Sequence, residues 1–332
     1  MKESAADFRT RLLRFGLAPA AVNAAWPAWW SEAADASASA QAELRFSLAR
    51  KLGLDPRSLL AEGQPQFVWD DSVKYKNFKG DASAERPAIS SYGISVTRML
   101  LAATDQEVPI VGLSAKELRT SILATNQDVG LRELLAFAWA VGIPVIHLRL
   151  YPLSAKRMAA MSARMGGRHG VLLAHDSVYP PALTFHLAHE IGHIALNHVR
   201  DGSALVDVDD IGGATDDPEE KAADAFALEL LTGSPAPRLE VAGNGKNAKE
   251  LASESLRLGA RLRIEPGTLA LCFGYTTGQW ALSNKSLKHI YNAPMPAWAV
   301  VNGIAEAQLD WAALDEDAGS FLRAVMGGTA DG

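Results

Sequence analysis

Cysteine is nearly absent from this chain. Cys272 is the only one in 332 residues, so an intrachain disulfide is impossible and a zinc site built from several thiolates is excluded. Long apolar runs are missing too. The longest, from Leu134 to Ile146, is interrupted by Gly142 and Pro144 and falls short of the roughly 20 residues a membrane helix needs, so it reads as a core helix running into a strand. There is no excess of basic charge either. Lys and Arg number 32 against 38 Asp and Glu, giving a net charge of −6, which excludes a broad nucleic-acid-binding surface and leaves room only for local DNA contacts. The opening stretch MKESAADFRTRLLRFG mixes both charges and has no signal-peptide core, so with the cysteine usage the expected location is the cytoplasm, away from membranes.

What the chain does have is apolar content, at 48%, and a length beyond what one core usually serves. The pattern suggests a helical N-terminal region over 1–80, a mixed α+β domain over 81–235 and a mainly helical or mixed region over 236–332 with a regulatory or recognition role. In the first region Leu44, Leu48 and Leu52 recur at helical spacing before Gly53, and Trp26, Trp29 and Trp30 fall at the spacing of a core or interface stripe. Gly80 to Pro87 reads as a linker. Three helical patterns follow between Ile94 and Val141, then two strands, IPVIHLRL (Ile143 to Leu150) and HGVLLAHD (His169 to Asp176). Pro180-Pro181 opens the next helix, with Gly202 as its expected C-cap, and the acidic stretch from Asp201 to Glu220 reads as a solvated loop. Asp217-Pro218 starts another helix that Gly233 to Pro235 ends. Beyond it, two helices are expected around Glu265-Pro266.

The chemistry concentrates in His189-Glu190-Ile191-Gly192-His193. Residues four apart on a helix share a face, so both imidazoles can bind one ion. Neutral imidazole suits Zn²⁺, and a catalytic zinc takes three protein ligands and leaves a fourth position to water. Glu190 then stands where a base would take a proton from that water. With eight histidines and 18 glutamates, the pattern is expected by chance in about 0.01 such chains. Apolar neighbours Leu187, Ala188, Ile191, Ile194 and Ala195 fit a helix buried on its other faces.

A third ligand must come from elsewhere. Helical phase places His198 on the far side of an extended helix, facing away from the metal. Glu220 is the better candidate, because Ala223, Ala227 and Leu231 continue its face as a buried stripe. Glu219 is an alternative, and Asp217 with Glu220 also has the spacing of a capping box, which would explain Glu220 by helix initiation alone. Asp224, one turn on, could accept a hydrogen bond from a ligating histidine. His186 could approach the cleft as a transition-state donor, but a surface or capping role is the expectation.

FHLAHEIGHIALNH (Phe185 to His198) followed by EEKAADAFALELL (Glu219 to Leu231) resembles the ImmA/IrrE family of metallopeptidases. The resemblance spans about residues 140 to 233. It implies a zincin-like core, a small sheet with a HExxH helix and a third-ligand helix. By position it makes His189, His193 and Glu220 the metal ligands and Glu190 the catalytic base. The chain departs from the family pattern at Ala222, where a second Glu is frequent, and at Thr232-Gly233. The resemblance also implies a site-specific regulatory endopeptidase that cleaves a helix-turn-helix repressor controlling stress-response, phage-defence or mobile-element genes, with single-stranded DNA or another signal as activator.

Two other functions compete. One is a non-proteolytic metal-binding transcriptional regulator, against which Glu190 argues, since a structural site needs no base. The other is a general peptidase of the gluzincin type. Zn²⁺ is the expected ion, with Mn²⁺ as the alternative; the sequence leaves substrate and oligomeric state open. In a zincin cleft the substrate is expected to lie extended along a sheet edge, and HGVLLAHD is the expected edge.

Overall fold

Helix boundaries in this chain follow its caps. The computed structural model describes residues 3–61, 63–68, 74–76, 85–153, 158–207, 217–237 and 247–328. Five helices come first: α1 (Ala5–Arg14), α2 (Pro19–Ala25), α3 (Glu32–Asp35), α4 (Ala38–Leu52) and α5 (Pro56–Leu60). Leu44, Leu48 and Leu52 are fully buried on α4, as their spacing predicts. Gly53 then closes the helix at φ 71°, where a Cβ would collide with the Ser91 backbone. The tryptophan spacing does not form a helical stripe. Trp26 ends α2, Pro27 breaks the helix, and Trp30 N–H donates to Pro27 O in a turn, leaving Trp26 and Trp30 on the core and Trp29 exposed.

After β1 (Lys74–Lys76) comes α6 (Glu85–Ala102), then α7 (Ala115–Leu123), α8 (Leu131–Ala140), β2 (Val145–His147), β3 (Ala160–Met165), β4 (Arg168–Leu173) and α9 (Pro180–Ala195). β5 (Ser203–Asp207), α10 (Pro218–Thr232), α11 (Ala248–Leu262), α12 (Pro266–Thr277), α13 (Trp280–Ile290), α14 (Ala297–Gln308) and α15 (Glu316–Val325) complete the chain. The last part of the expected linker, Glu85–Pro87, is the first turn of α6; positions 80–84 lie outside the described residues. The acidic stretch also needs correction. It holds a strand, β5, with Leu205 and Val206 buried, while positions 208–216 lie outside the described residues.

The five strands run in the order β1-β5-β3-β4-β2, with β3 antiparallel to both neighbours and the outer pairs parallel. β3 and β4 join through Gly166-Gly167, both at positive φ, the backbone that a two-residue hairpin turn demands. β4 is therefore interior, paired on both sides. The expectation that HGVLLAHD forms the sheet edge is overturned.

Side chains alternate across the sheet, and each face builds its own core. Met161, Ala163, Leu172, Ala204 and Val206 pack with the N-terminal helices and with Phe321, Leu322 and Val325 of α15. Ala160, Val171, Leu173 and Leu205 pack with α7 to α10. The region after residue 236 thus divides. α11, α12 and α13 pack on one another with α12 against α9, whereas α14 covers β2 and α15 joins the first core. Asn302 of α14 binds the β2 backbone like another strand. Its Oδ1 accepts from His147 N at 2.7 Å, and its Nδ2 donates to His147 O at 2.8 Å and Met326 O at 2.7 Å. Among the described residues no helix is long and apolar enough to cross a membrane.

Candidate metal centre

α9 begins with Pro180-Pro181 in its first turn, where a missing N–H leaves no bond unmade. It crosses the sheet face formed by β3 and β4 and buries its middle: His189, Glu190 and His193 are at most 3% exposed. α10 starts at Asp217, whose carboxylate accepts from Glu219 N at 2.9 Å. Glu220, in the first turn, directs its carboxylate at the two histidines. The pairing of α9 and α10 depends on Gly192, which lies against Ala223 and Phe226.

The structure brings His189, His193 and Glu220 together, with one donor atom from each inside a 4.8 Å span. The two Nε2 atoms are 2.9 Å apart, and Glu220 Oε1 lies 3.0 Å from His193 Nε2 while Oε2 lies 3.5 Å from His189 Nε2. On the outer side, Asp224 Oδ1 stands 3.0 Å from His189 Nδ1 as an ion-pair contact. Glu219 is half-buried and serves the cap.

His198 is not where extrapolated helical phase puts it. The helix ends at Ala195, and Asn197 turns the chain at φ 58°, the role expected of Gly202. His198 N then donates to His193 O at 2.9 Å, and the two Nδ1 atoms meet at 2.8 Å. Arg119 of α7 fixes the other end of α10, donating to Leu230 O at 3.0 Å and Leu231 O at 2.8 Å.

The donor set fits a divalent cation. Asp224 lies against Nδ1 of His189 and His198 against Nδ1 of His193, so a neutral imidazole with its proton on Nδ1 presents an Nε2 lone pair inward, and two lone pairs and a carboxylate converge in a buried space. That convergence is repulsive without positive charge. In the metal-free protein a proton supplies it: burial opposes a charge on His189, but Asp207, Asp224, Glu220 and Glu190 outweigh burial and hold its pKa well above the ordinary value. Burial would raise Glu220, yet hydrogen bonds from His189 and His193 hold it far below the carboxylate range. Glu190 moves the other way. Burial, reinforced by Asp207, raises its pKa, while His189 and then Ser162 of β3 pull it down. Such a carboxyl is primed to hold a proton near neutral pH.

Two further residues come to light. His186 is buried with its ring 5.0 Å from that of His175, which corrects the surface or capping expectation. Asp207, at the end of β5, places Oδ2 3.3 Å from His189 Nε2. Asp207 falls in the stretch expected to be a solvated loop; the short apolar run Ala204-Leu205-Val206, following Gly202, is the signal for a strand.

Residues 140–270 match the family model for the IrrE N-terminal-like domain of the M78 peptidases, past the end of the motif region read from the sequence. Comparison with curated proteins and with solved structures finds no match. The matched segment contains β2 to β5, α9, α10 and each of the centre's residues, so the similarity to the M78 peptidase family covers the whole centre.

Proposed function

We propose that this chain is a zinc-dependent endopeptidase with a site-specific regulatory role, cutting a DNA-binding repressor in the cytoplasm. The observation that carries the hydrolytic reading is Glu190, a carboxyl with a raised pKa buried beside a three-donor cluster and contributing nothing to that cluster itself. A site that only held an ion for structure would have no use for it. His189, His193 and Glu220 would hold the ion, which when bound lowers the pKa of a water to about 7 and polarises a carbonyl.

The remaining work belongs to the chain's own groups. Glu190 accepts the proton of the attacking water and delivers it to the leaving amine, so it stands ionised before the attack and protonated after it. Ser162 stays beside Glu190 and restrains the shift that burial imposes. Asp224 and His198 orient the two imidazoles from outside, fixing the tautomer in which Nε2 is free to bind.

The regulatory part rests on the family and on the layers built around the site. A cleft that reads a few extended residues needs added surface to find one protein among many, and α1 to α6 with α11 to α15 provide it. The target must offer a flexible or locally unfolded segment. The test mixes the purified chain with the repressor encoded beside its gene, with and without single-stranded DNA and added Zn²⁺ or Mn²⁺. One discrete cut supports the reading. No cut under any condition, together with free degradation of unfolded casein, replaces it with a general peptidase.

A further inference from the structure

We propose that Asp207 is a fourth donor to the metal centre, filling the position a catalytic site leaves to water, so that the centre rests in a latched state. The inference builds on the metallopeptidase reading above and concerns the control of that site.

Asp207 ends β5 on the strand face that carries Leu205, toward α9. Its backbone is pinned: it pairs with Ala160, and its carbonyl accepts from Ala159 N at 2.8 Å. From there Oδ2 reaches to 3.3 Å from Nε2 of His189, the inward nitrogen, while Asp224 takes the outer Nδ1 at 3.0 Å. One imidazole therefore has a carboxylate at each nitrogen. A neutral ring carries only one N–H, so whichever nitrogen is bare presents a lone pair to an anion. In the metal-free centre a second proton on the ring serves Asp207; when Nε2 is bare for ligation and the remaining N–H points to Asp224, Asp207 faces a lone pair, and a cation shared between them takes that proton's place.

The spacing agrees. Donors around a four-coordinate ion with bonds of about 2.0–2.1 Å stand about 3.3–3.4 Å apart. His193 Nε2 is 3.0 Å from Glu220 Oε1, His189 Nε2 is 3.5 Å from Glu220 Oε2 and 3.3 Å from Asp207 Oδ2, and the two histidine nitrogens are closer, at 2.9 Å. Asp207 is not in the group of three whose donors share a 4.8 Å span, so it approaches from the His189 side and must swing inward to complete the set. Charge favours the swing. Glu220 and Asp207 together neutralise a dication in a buried site, whereas exchanging Asp207 for water leaves one positive charge, the condition that acidifies the water. The exchange breaks one carboxylate–metal bond and makes one water–metal bond, with no other change in composition.

The experiment uses the full chain, wild type and Asp207→Ala, loaded with Mn²⁺ to count exchangeable metal-bound waters by proton relaxation and with Zn²⁺ to measure acetohydroxamate affinity. A latch predicts one more water on the variant and acetohydroxamate binding tighter by about 10-fold or more, since a ligand's apparent affinity scales with the open fraction. Equal water counts and equal affinities overturn the proposal. So does a large loss of metal affinity without gain in acetohydroxamate binding, which would make Asp207 a structural ligand. If the alanine variant does not fold, Asp207→Asn keeps the shape with a weaker donor and carries the same expectations. Neither readout needs peptide cleavage, so a failed latch and a failed peptidase reading are told apart.

Discussion

Gly192 of α9 faces Phe226 of α10 so closely that a Cβ at 192 would stand 3.2 Å from Phe226 Cδ1 and 3.3 Å from Ala223 O. The bare backbone lets the two helices approach, and that approach carries Glu220 to the histidine pair. Gly192→Ala should therefore act on the metal centre more than on stability. Overpacking costs about 1–3 kcal/mol, and alanine returns about 1 kcal/mol of helix propensity. The melting temperature is expected to fall by only a few degrees, while chelator competition should show metal affinity down by about 10-fold, on the scale of other supporting-residue losses. Unchanged affinity would mean that α10 shifts without moving Glu220.

Glu190→Gln keeps the size of the side chain and removes its ability to take a proton. Metal content per chain should stay near wild type while hydrolysis of a cleavable peptide falls by about 100-fold or more. Retained activity in the variant rules out Glu190 as the base.

The centre also predicts a graded series in metal affinity. His189→Ala, His193→Ala and Glu220→Ala should give the largest losses. Asp224→Ala and His198→Ala should weaken binding by about 10-fold to 100-fold, because each removes the outer partner of one imidazole. Glu219→Ala should leave affinity alone. A chain that loses its metal with Glu219→Ala and keeps it with Glu220→Ala would shift the third ligand by one residue.

Stability should respond to pH in opposite directions with and without metal. In the metal-free protein the raised pKa of His189 means that its contribution is complete below its unfolded value of about 6.5 and is lost as pH rises through the folded value. Glu190 adds to the trend, since a buried acid with a raised pKa costs stability as pH climbs past its unfolded value. The depressed Glu220 titrates only in acid and is silent in this window. Melting temperatures of chelator-treated protein should fall between about pH 6 and pH 8.5, after removal of trends shared with a His189→Ala control. Metal stabilisation should grow over the same range, because binding displaces protons. A metal-free melting temperature that rises with pH relative to that control contradicts the assigned charges.

Much of this centre was legible without coordinates. That His189 and His193 share a face follows from local helical geometry, and the stripe through Ala223, Ala227 and Leu231 is periodic in the same way; all three are buried. Pro180-Pro181, Asp217-Pro218 and Glu265-Pro266 start helices because their backbone and side-chain chemistry acts within one turn. The helical-phase argument fails at His198, nine residues after His189, because it requires a helix continuing past Ala195.

What only the tertiary structure decided depends on partners distant in the chain. β1 and β2 are three residues each, too short to show a period, and the interior place of β4 is set by which strands pair with it. Asp207 lies 18 positions from His189 in the chain and meets it only because β5 pairs with β3, and β3 with α9, in the required register. The sharing of one core by α15 and the first helices, and the hold of Asn302 on β2, are of the same kind. Helical phase is a property of neighbouring residues and can be read from them; strand order and register are chosen by the whole chain through the surfaces it buries.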